Sequence, residues 1–184
     1  LASGRPVVRC VGRMEFGPRA LGHRSVLAPA ADAAITDRLS QALDRDDFMP
    51  FAPMIREEDA REAFPGLAVA RQACRFMTVA LPCTAAFQEA HPAAVHVDGT
   101  VRPQVVSQQE EPELHALLSA YRDATGQAAL INTSFNMHEE PIVAGPDDAL
   151  RAFARSGLPL MRLGPLVVNQ RRGGSTSRGR APSE

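Results

Sequence analysis

The stretch Gly12-Arg13-Met14-Glu15-Phe16-Gly17-Pro18-Arg19-Ala20-Leu21-Gly22 is the most informative part of this 184-residue sequence. Its three glycines permit positive φ and close backbone approach, while Pro18 stiffens the middle, so it predicts a loop. Arg13, Arg19 and the following Arg24 offer planar, permanently charged groups that can bind carboxylates or phosphates. Taken alone, the stretch is equally compatible with a surface loop that carries ordinary ion pairs.

Length and composition predict one globular domain. With 184 residues, of which 45% are hydrophobic and 22% charged, the chain can bury a single sizeable core. No apolar run approaches the roughly 20 residues that span a bilayer, and no secretion signal is present, so we expect no membrane association. The sequence begins at Leu1 rather than Met, which suggests a piece of a longer protein.

The cysteines and basic residues narrow the compartment and the partners. Three widely spaced cysteines without a CxxC pair argue against disulfides and zinc and favour a reducing cytoplasm. All 20 basic residues are arginine, so no Schiff-base or P-loop lysine exists. Residues 169–184 are Gly-, Ser- and Arg-rich, which predicts a disordered basic tail. One Tyr, no Trp and no basic stripe in the rest of the chain argue against a nucleic-acid partner.

The order of apolar runs and turn residues predicts one α/β domain, with a mixed sheet and flanking helices. The predicted strands are 7–11, 25–28, 75–81, 95–97 and 101–107 as a hairpin, 128–131 and 160–168. The predicted helices are 32–43, 57–64, 84–90, 112–126 and 146–157. The block 48–53 predicts an ordered loop, because its prolines prevent regular structure while its two phenylalanines favour burial.

Two further polar segments are candidates for a site. Asn132-Thr133-Ser134-Phe135-Asn136 follows a predicted buried strand, and ligands of α/β proteins commonly bind at strand ends. Arg102 follows the predicted turn Asp98-Gly99-Thr100. Considered alone, the segment 132–136 is more simply explained as a turn whose side chains hydrogen-bond to its own backbone. Considered alone, Arg102 is more simply explained as part of an exposed ion pair. The scattered histidines fit no metal motif, and without a GxSxG elbow the chain does not look like a self-contained hydrolase.

Four motifs in a fixed order are more specific than any one of them. They are residues 12–25, Met49-Pro50-Phe51-Ala52-Pro53, the run 96–104, and 131–136 with Glu140-Pro141-Ile142-Val143. This series resembles the C-terminal domain of the O-carbamoyltransferases that act on nodulation factors and antibiotics. The resemblance covers residues 1–168, nearly everything but the tail.

The resemblance implies a YrdC-like single domain that uses carbamoyl phosphate and ATP to make carbamoyl adenylate, with release of pyrophosphate. It also implies a partner, a separate N-terminal domain with an actin-like fold and a bound metal of the iron type. That domain would precede Leu1 and transfer the carbamoyl group to a hydroxyl of a small-molecule acceptor, in natural-product biosynthesis in the cytoplasm. The acceptor itself is not indicated by this sequence.

The same resemblance implies roles for individual residues. Arg19 and Arg102 are the candidate catalytic residues, and Asn132 and Ser134 fall where the family contacts carbamoyl adenylate or its phosphates. Arg24 is a candidate binding residue by motif membership only. Converging guanidinium groups would neutralise phosphate charge, and Asn and Ser donors would orient the acyl oxygen.

The chain departs from the family pattern at four positions, one of which is Pro159, where relatives often carry Asp. Leu43 and Met49 stand where relatives usually carry Lys and often Arg, and Glu139 stands where glycine is usual. Arg45 is the candidate replacement for the missing cations. These departures leave open a degenerate nucleotide-binding module without catalysis. A third alternative is RNA binding or threonylcarbamoyl-adenylate formation. The lack of a basic stripe argues against RNA binding.

Overall fold

The computed structural model describes residues 1–45 and 51–170. Its strands are β1 Val7–Cys10, β2 Arg24–Pro29, β3 Ala52–Arg56, β4 Leu81–Pro82, β5 Thr100–Val101, β6 Gln104–Val106, β7 Ala129–Ser134, β8 Leu160–Leu163 and β9 Leu166–Asn169. Its helices are α1 Ile35–Ala42, α2 Glu57–Ala63, α3 Leu67–Arg75, α4 Ala85–Ala90, α5 Pro112–Thr125 and α6 Pro146–Ser156, with a 3₁₀ turn at Pro92–Ala94. Among the described residues, one sheet has the order β6-β3-β7-β2-β1-β8-β9, and β4 pairs with β5 separately.

The large sheet is mixed, and both of its faces are covered. In β2, Val26 and Ala28 pack with α1 and α6, whereas the intervening Leu27 packs against α5 on the opposite face. All six residues of β2 are therefore buried, although successive side chains of a strand point to opposite faces. A second group of apolar side chains from α2, α3 and α4 packs against β5 and one end of β3 and β6.

The register of the central strands places the candidate polar residues in the middle of this sheet. β7 is antiparallel to both of its neighbours, so that Asn132 lies opposite Leu27 of β2 and Ala52 of β3. Ser134 lies opposite Ser25. The two residues therefore belong to β7 itself, and the prediction that they follow the strand was wrong by three residues.

The proline block was the least accurate part of the prediction. Ala52–Arg56 is a strand in the large sheet, so the expected loop is wrong from Ala52 onward, while residues 46–50 lie outside the described part. Pro53 pairs with Ile131 of β7, but the pairing of β3 with β6 begins only at Met54. Pro53 thus occupies a locally one-sided part of the strand, where its missing N–H is tolerated.

Three other strand predictions need correction. Residues 67–75 form helix α3, which begins after the left-handed Gly66. Of the predicted strand 75–81 only Leu81 is extended, as the first residue of β4. The turn at 96–100 exists, but β5 pairs with β4 and β6 pairs in parallel with β3, because Pro103 interrupts the run. The predicted strand 160–168 is a hairpin that turns at Gly164 (φ 57°).

The remaining elements were predicted correctly. They are strands β1 and β2 and helices α1, α2, α4, α5 and α6, each within about three residues of its predicted bounds. No helix in the described ranges is long and apolar enough to cross a membrane. The predicted tail 169–184 begins too early, because Asn169 belongs to β9 and Gln170 donates to the carbonyls of Pro159 and Ala154. Residues 171–184 lie outside the described residues.

Candidate functional site

A small polar cavity of about 100 Å³ opens where the Gly-rich loop meets the centre of the large sheet. It is lined by Pro18, Arg19, Ala20, Arg45, Phe51, Ala52, Met77, Arg102, Asn132, Thr133 and Ser134. Five of the six residues proposed from the sequence therefore meet here, although they come from four separate parts of the chain. The sixth, Arg24, does not line the cavity.

Arg19 and Arg102 supply positive charge that no carboxylate of the described residues neutralises. No described residue forms an ion pair with either guanidinium, and no described Asp or Glu lines the cavity. Burial and the nearby charge of Arg19 both lower the pKa of Arg102, although a guanidinium stays protonated in proteins. Two like charges held together in this way favour an anion between them.

Arg45 extends the positive wall along the end of β7. Its guanidinium donates to Thr133 Oγ1 (2.8 Å), to the carbonyl and hydroxyl oxygens of Ser134 (both 3.0 Å) and to Asn136 Oδ1 (2.9 Å). The Ser134 hydroxyl in turn donates to Asn136 Oδ1 at 2.6 Å. These contacts fix the guanidinium against the strand end, so the cation that the sequence offered in place of a lysine does reach the cavity.

Asn132 is held by a network that the sequence did not reveal. Its Nδ2 donates to the carbonyl of Ala20 (2.9 Å) and to Gln104 Oε1 (2.6 Å), while Gln104 Nε2 donates to the carbonyl of Leu21 (2.7 Å). Only 2% of Asn132 and 3% of Gln104 is exposed. The two amides therefore clamp the Gly-rich loop onto β7 and β6, and place Arg19 next to the strand end.

Glu15 organises the same loop from the other side. Its carboxylate Oε1 accepts from the backbone N–H groups of Leu21 (2.6 Å) and His23 (2.8 Å). The Arg9 guanidinium donates to the carbonyl of Gly22 at 2.9 Å, which fixes the next peptide as well. A loop of this composition lacks regular hydrogen bonds, so side chains supply the partners that its backbone requires.

Gly22 is required at its position for two reasons. Its φ of 113° lies in a region that residues with a side chain rarely adopt. A Cβ built there would also lie 2.5 Å from Leu114 Cδ1 on α5. The glycine therefore lets the loop lie directly on the helix.

Arg24, a candidate by motif membership only, contacts the backbone of the Gly-rich loop in the structure. It is 6% exposed, and its guanidinium donates only to backbone carbonyls, those of Val11, Gly12, His23 and Ala144, at 2.9–3.1 Å. These contacts join both ends of the Gly-rich loop to the segment before α6. Arg24 thus supports the loop and lies away from the cavity.

The departures from the family pattern also have structural explanations. Leu43 is fully buried in the core against α1 and α6, so it is not at the cavity surface. Glu139 has φ 59°, the left-handed conformation that glycine adopts without strain, which accounts for a usual glycine there. Met49 lies outside the described residues.

A second, larger cleft of about 460 Å³ shares one wall with the cavity. Pro18, Arg19, Met77 and Arg102 line both. The rest of the cleft is more apolar and includes Phe16, whose side chain is fully exposed, and Phe76, which is 41% exposed. No sequence motif points to Phe76 and Met77, which lie in a segment predicted as a strand.

Within the two described ranges, no group of three or more His, Cys, Asp and Glu side chains is arranged to hold a metal ion. The three cysteines are free and buried, and burial raises the pKa of each thiol. The converging arginines at the cavity favour an anionic ligand.

Comparison with known proteins adds the context of longer relatives. The chain is 38% identical over 172 residues to nodulation protein NolNO of Sinorhizobium fredii, which covers 93% of this chain and 25% of that protein. It is 39% identical over 157 residues to 3'-hydroxymethylcephem-O-carbamoyltransferase of Streptomyces clavuligerus, a match that covers 82% of this chain and 28% of that protein. The chain thus spans between a quarter and a third of the length of these relatives.

The fold is shared with a solved structure. Full-length HypF, crystallised in its phosphate- and nucleotide-bound form, matches 89% of this chain with a TM-score of 0.65 at 18% identity, over 23% of the HypF chain. This likeness confirms the predicted mixed α/β, YrdC-like fold. The family model of the carbamoyltransferase C-terminus matches residues 1–170, and the chain therefore belongs to the carbamoyltransferase C-terminal family.

Proposed function

We propose that this chain is the carbamoyl-adenylate-forming part of an O-carbamoyltransferase and that it uses ATP and carbamoyl phosphate. One observation carries the proposal: Arg19, Arg45 and Arg102 converge on one small cavity that no described carboxylate lines. A phosphoryl or acyl-phosphate group is the ligand that several converging guanidinium groups bind best. The HypF structure, which shares this fold, is phosphate- and nucleotide-bound.

The sizes of the two spaces support a division of labour. A cavity of about 100 Å³ suits a phosphoryl or carbamoyl group and is too small for a nucleotide. The adjoining cleft of about 460 Å³ falls in the range that holds larger organic ligands. We therefore assign the acyl group to the cavity and the nucleotide to the cleft, with Arg19 and Arg102 between them.

The proposed reaction has two steps. Water cleaves carbamoyl phosphate to carbamate and inorganic phosphate. A carbamate oxygen then attacks the α-phosphorus of ATP, the bond to the leaving pyrophosphate breaks, and carbamoyl adenylate forms. In the second step negative charge develops on the transferred phosphoryl group and on pyrophosphate, and Arg19, Arg45 and Arg102 would stabilise that charge.

The rest of the activity is assigned to a partner. Because the relatives are three to four times longer than this chain, we propose that a further domain, of the actin-like fold and with its own metal, transfers the carbamoyl group. Its acceptor would be a hydroxyl of a small molecule, and the compartment the cytoplasm. We further propose residues 1–170 as the folded unit and residues 171–184 as a tail, since Asn169 lies in β9 and not in the tail expected from the sequence.

Exchange of labelled pyrophosphate into ATP tests the proposal. The protein, alone and together with the upstream domain of a relative, should catalyse exchange that depends on carbamoyl phosphate. Exchange in the absence of carbamoyl phosphate would indicate a different acyl substrate. Absence of exchange in both preparations would contradict the proposal.

One observation favours a second candidate, a nucleotide-binding module without catalysis. Leu43 occupies the position of a usual lysine, and it lies in the core rather than at the cavity. A module of this kind would bind ATP or phosphate with measurable affinity and give no exchange. Titration calorimetry with ATP, run beside the exchange assay, distinguishes the two candidates.

A further inference from the structure

Asn132, which lines the candidate cavity, carries a buried hydrogen-bond acceptor that no described residue uses. Both hydrogens of its Nδ2 are already donated, one to the carbonyl of Ala20 and one to Gln104 Oε1. Its Oδ1 is buried and has no hydrogen-bond partner among the described residues. Asn132 therefore has no N–H left for a ligand, and can only accept.

The hydrogen-bond network fixes which atom of the Asn132 amide is the oxygen. Gln104 must direct Nε2 at the carbonyl of Leu21, since a carbonyl oxygen accepts and does not donate. Gln104 Oε1 then faces Asn132, which must answer with Nδ2, as it must also do for the carbonyl of Ala20. A flipped Asn132 amide would bring oxygen against oxygen at both contacts. The orphan atom is thus Oδ1.

A buried carbonyl oxygen without a partner is destabilising and rare in folded proteins. Because Asn132 lines the cavity, a ligand can supply the missing donor there. The guanidinium groups of Arg19 and Arg102 attract the anionic part of that ligand, and Asn132 Oδ1 requires an N–H beside it. An acyl phosphate that carries an amino group on its carbonyl carbon meets both requirements.

We propose that Asn132 Oδ1 accepts a hydrogen bond from the amino group of the carbamoyl moiety, so that Asn132 is the residue that selects carbamoyl over acetyl. This inference rests on the proposed function and identifies the chemical group that the site recognises. Acetyl phosphate has the same charge and nearly the same shape, but its methyl group cannot donate. A site built around an N–H strongly disfavours a ligand that lacks it, because its own polar atom then stays unpaired.

Comparison of the two ligands in two proteins tests the inference without relying on turnover. Calorimetric titration of the wild-type protein should show about tenfold to a hundredfold tighter binding of carbamoyl phosphate than of acetyl phosphate. In Asn132→Ala the ratio of the two affinities should fall to near one. If the role of Asn132 were purely structural, Asn132→Ala would lower the affinity for both ligands by the same factor and leave the ratio of the two affinities unchanged.

Asn136→Ala is the matched control. Asn136 lies four residues away, and its Nδ2 donates to the carbonyls of Met137 and Glu140 while its Oδ1 accepts from Arg45 and Ser134. It has no spare acceptor, so this variant should keep the wild-type ratio even if both affinities fall.

A second measurement needs no variant and covers the case in which Asn132→Ala fails to fold. With ¹⁵N-labelled carbamoyl phosphate, one amino proton should shift downfield on binding to the wild-type protein. Equal wild-type affinities for the two acyl phosphates, or an unshifted amino proton in the bound ligand, would overturn the inference and leave the proposed function intact. If inorganic phosphate and both acyl phosphates all fail to bind, the proposed function fails and the inference falls with it.

Discussion

Arg102 and Arg19 lie on a shared wall between two cavities, close enough for the charge of Arg19 to lower the pKa of Arg102 in addition to the effect of burial. Two like charges are normally separated or neutralised in a folded protein, and no described carboxylate neutralises these two. Their mutual repulsion is relieved when an anion binds between them. The pair is thus arranged for a ligand rather than for stability.

Replacement of either arginine should remove activity without unfolding the protein. In Arg102→Ala and in Arg19→Ala we expect carbamoyl-phosphate-dependent pyrophosphate exchange to fall on the order of 10²-fold, as when other charge-stabilising donors are removed. Thermal stability should stay the same or rise, because repulsion is removed. Arg38→Ala is the control, since Arg38 is exposed and pairs only loosely with Asp32 at 3.9 Å. Wild-type exchange in the Arg102 and Arg19 variants would contradict the assignment.

The contribution of Arg45 to phosphate affinity should depend on the shape of its side chain as well as on its charge. Arg45→Lys keeps the charge, but one ammonium group cannot reach Thr133, Ser134 and Asn136 together as the guanidinium does. We expect the affinity for inorganic phosphate to fall about tenfold in Arg45→Lys, and further in Arg45→Ala. The comparable exposed change, Arg151→Lys, should leave the affinity unaltered. Full affinity in Arg45→Lys would show that the charge alone matters.

Glu15 should stabilise the Gly-rich loop in a way that hydrogen exchange can follow. Glu15→Gln replaces a charged acceptor with a neutral one at the N–H groups of Leu21 and His23. Since hydrogen bonds to charged groups are worth about 1.5–3 kcal/mol, we expect protection of these two amides to fall about tenfold or more. The exposed Glu89→Gln should not change them. Unchanged protection in Glu15→Gln would show that the loop is held by other contacts.

Arg24 should affect stability far more than binding. Arg24→Met removes the donors that serve four backbone carbonyls and should lower the free energy of unfolding by about 3 kcal/mol or more, because buried acceptors are left unpaired. Urea denaturation measures this change. Under conditions where the variant is folded, its phosphate affinity should lie within about threefold of wild type. A large loss of affinity in a stably folded variant would return Arg24 to the ligand site.

His91 should make stability depend on pH. It is 3% exposed, and burial lowers its pKa to about 4, whereas in the unfolded chain it titrates near its ordinary value of 6.5. Between these two pKa values the unfolded state binds more protons than the folded state. The contribution of neutral His91 to the free energy of unfolding is therefore fully present above about pH 6.5 and is lost as the pH falls toward 4. We expect His91 to contribute a loss on the order of 2 kcal/mol at pH 5.

The variant His91→Gln tests this assignment, because it cannot titrate. Its unfolding free energy should vary less between pH 7 and pH 5 than that of the wild type. An identical slope in both proteins would assign the effect to other groups.

Local rules identified most elements, since caps, glycines and apolar spacing are properties of short segments. Helix α5 begins at Pro112 and is followed by the left-handed Gly126, as the sequence indicated. Such rules failed where pairing overrides propensity. Strand β3 contains Pro53 and was predicted as a loop, because its extended form depends on β7 and β6, which are distant in the chain.

The candidate site shows the same division. The sequence alone determined which side chains could bind an anion, since arginine forks and a polar segment are recognisable as residue types in order. Only the tertiary structure decided what each one does. Arg24 points inward, where its guanidinium donates to backbone carbonyls 12 and 120 residues away in the chain. Asn132 is left as an acceptor because its Nδ2 donates to the carbonyl of Ala20, 112 residues away, and to Gln104. Hydrogen-bond capacity belongs to a residue type, whereas the partner that uses it is set by packing between distant segments.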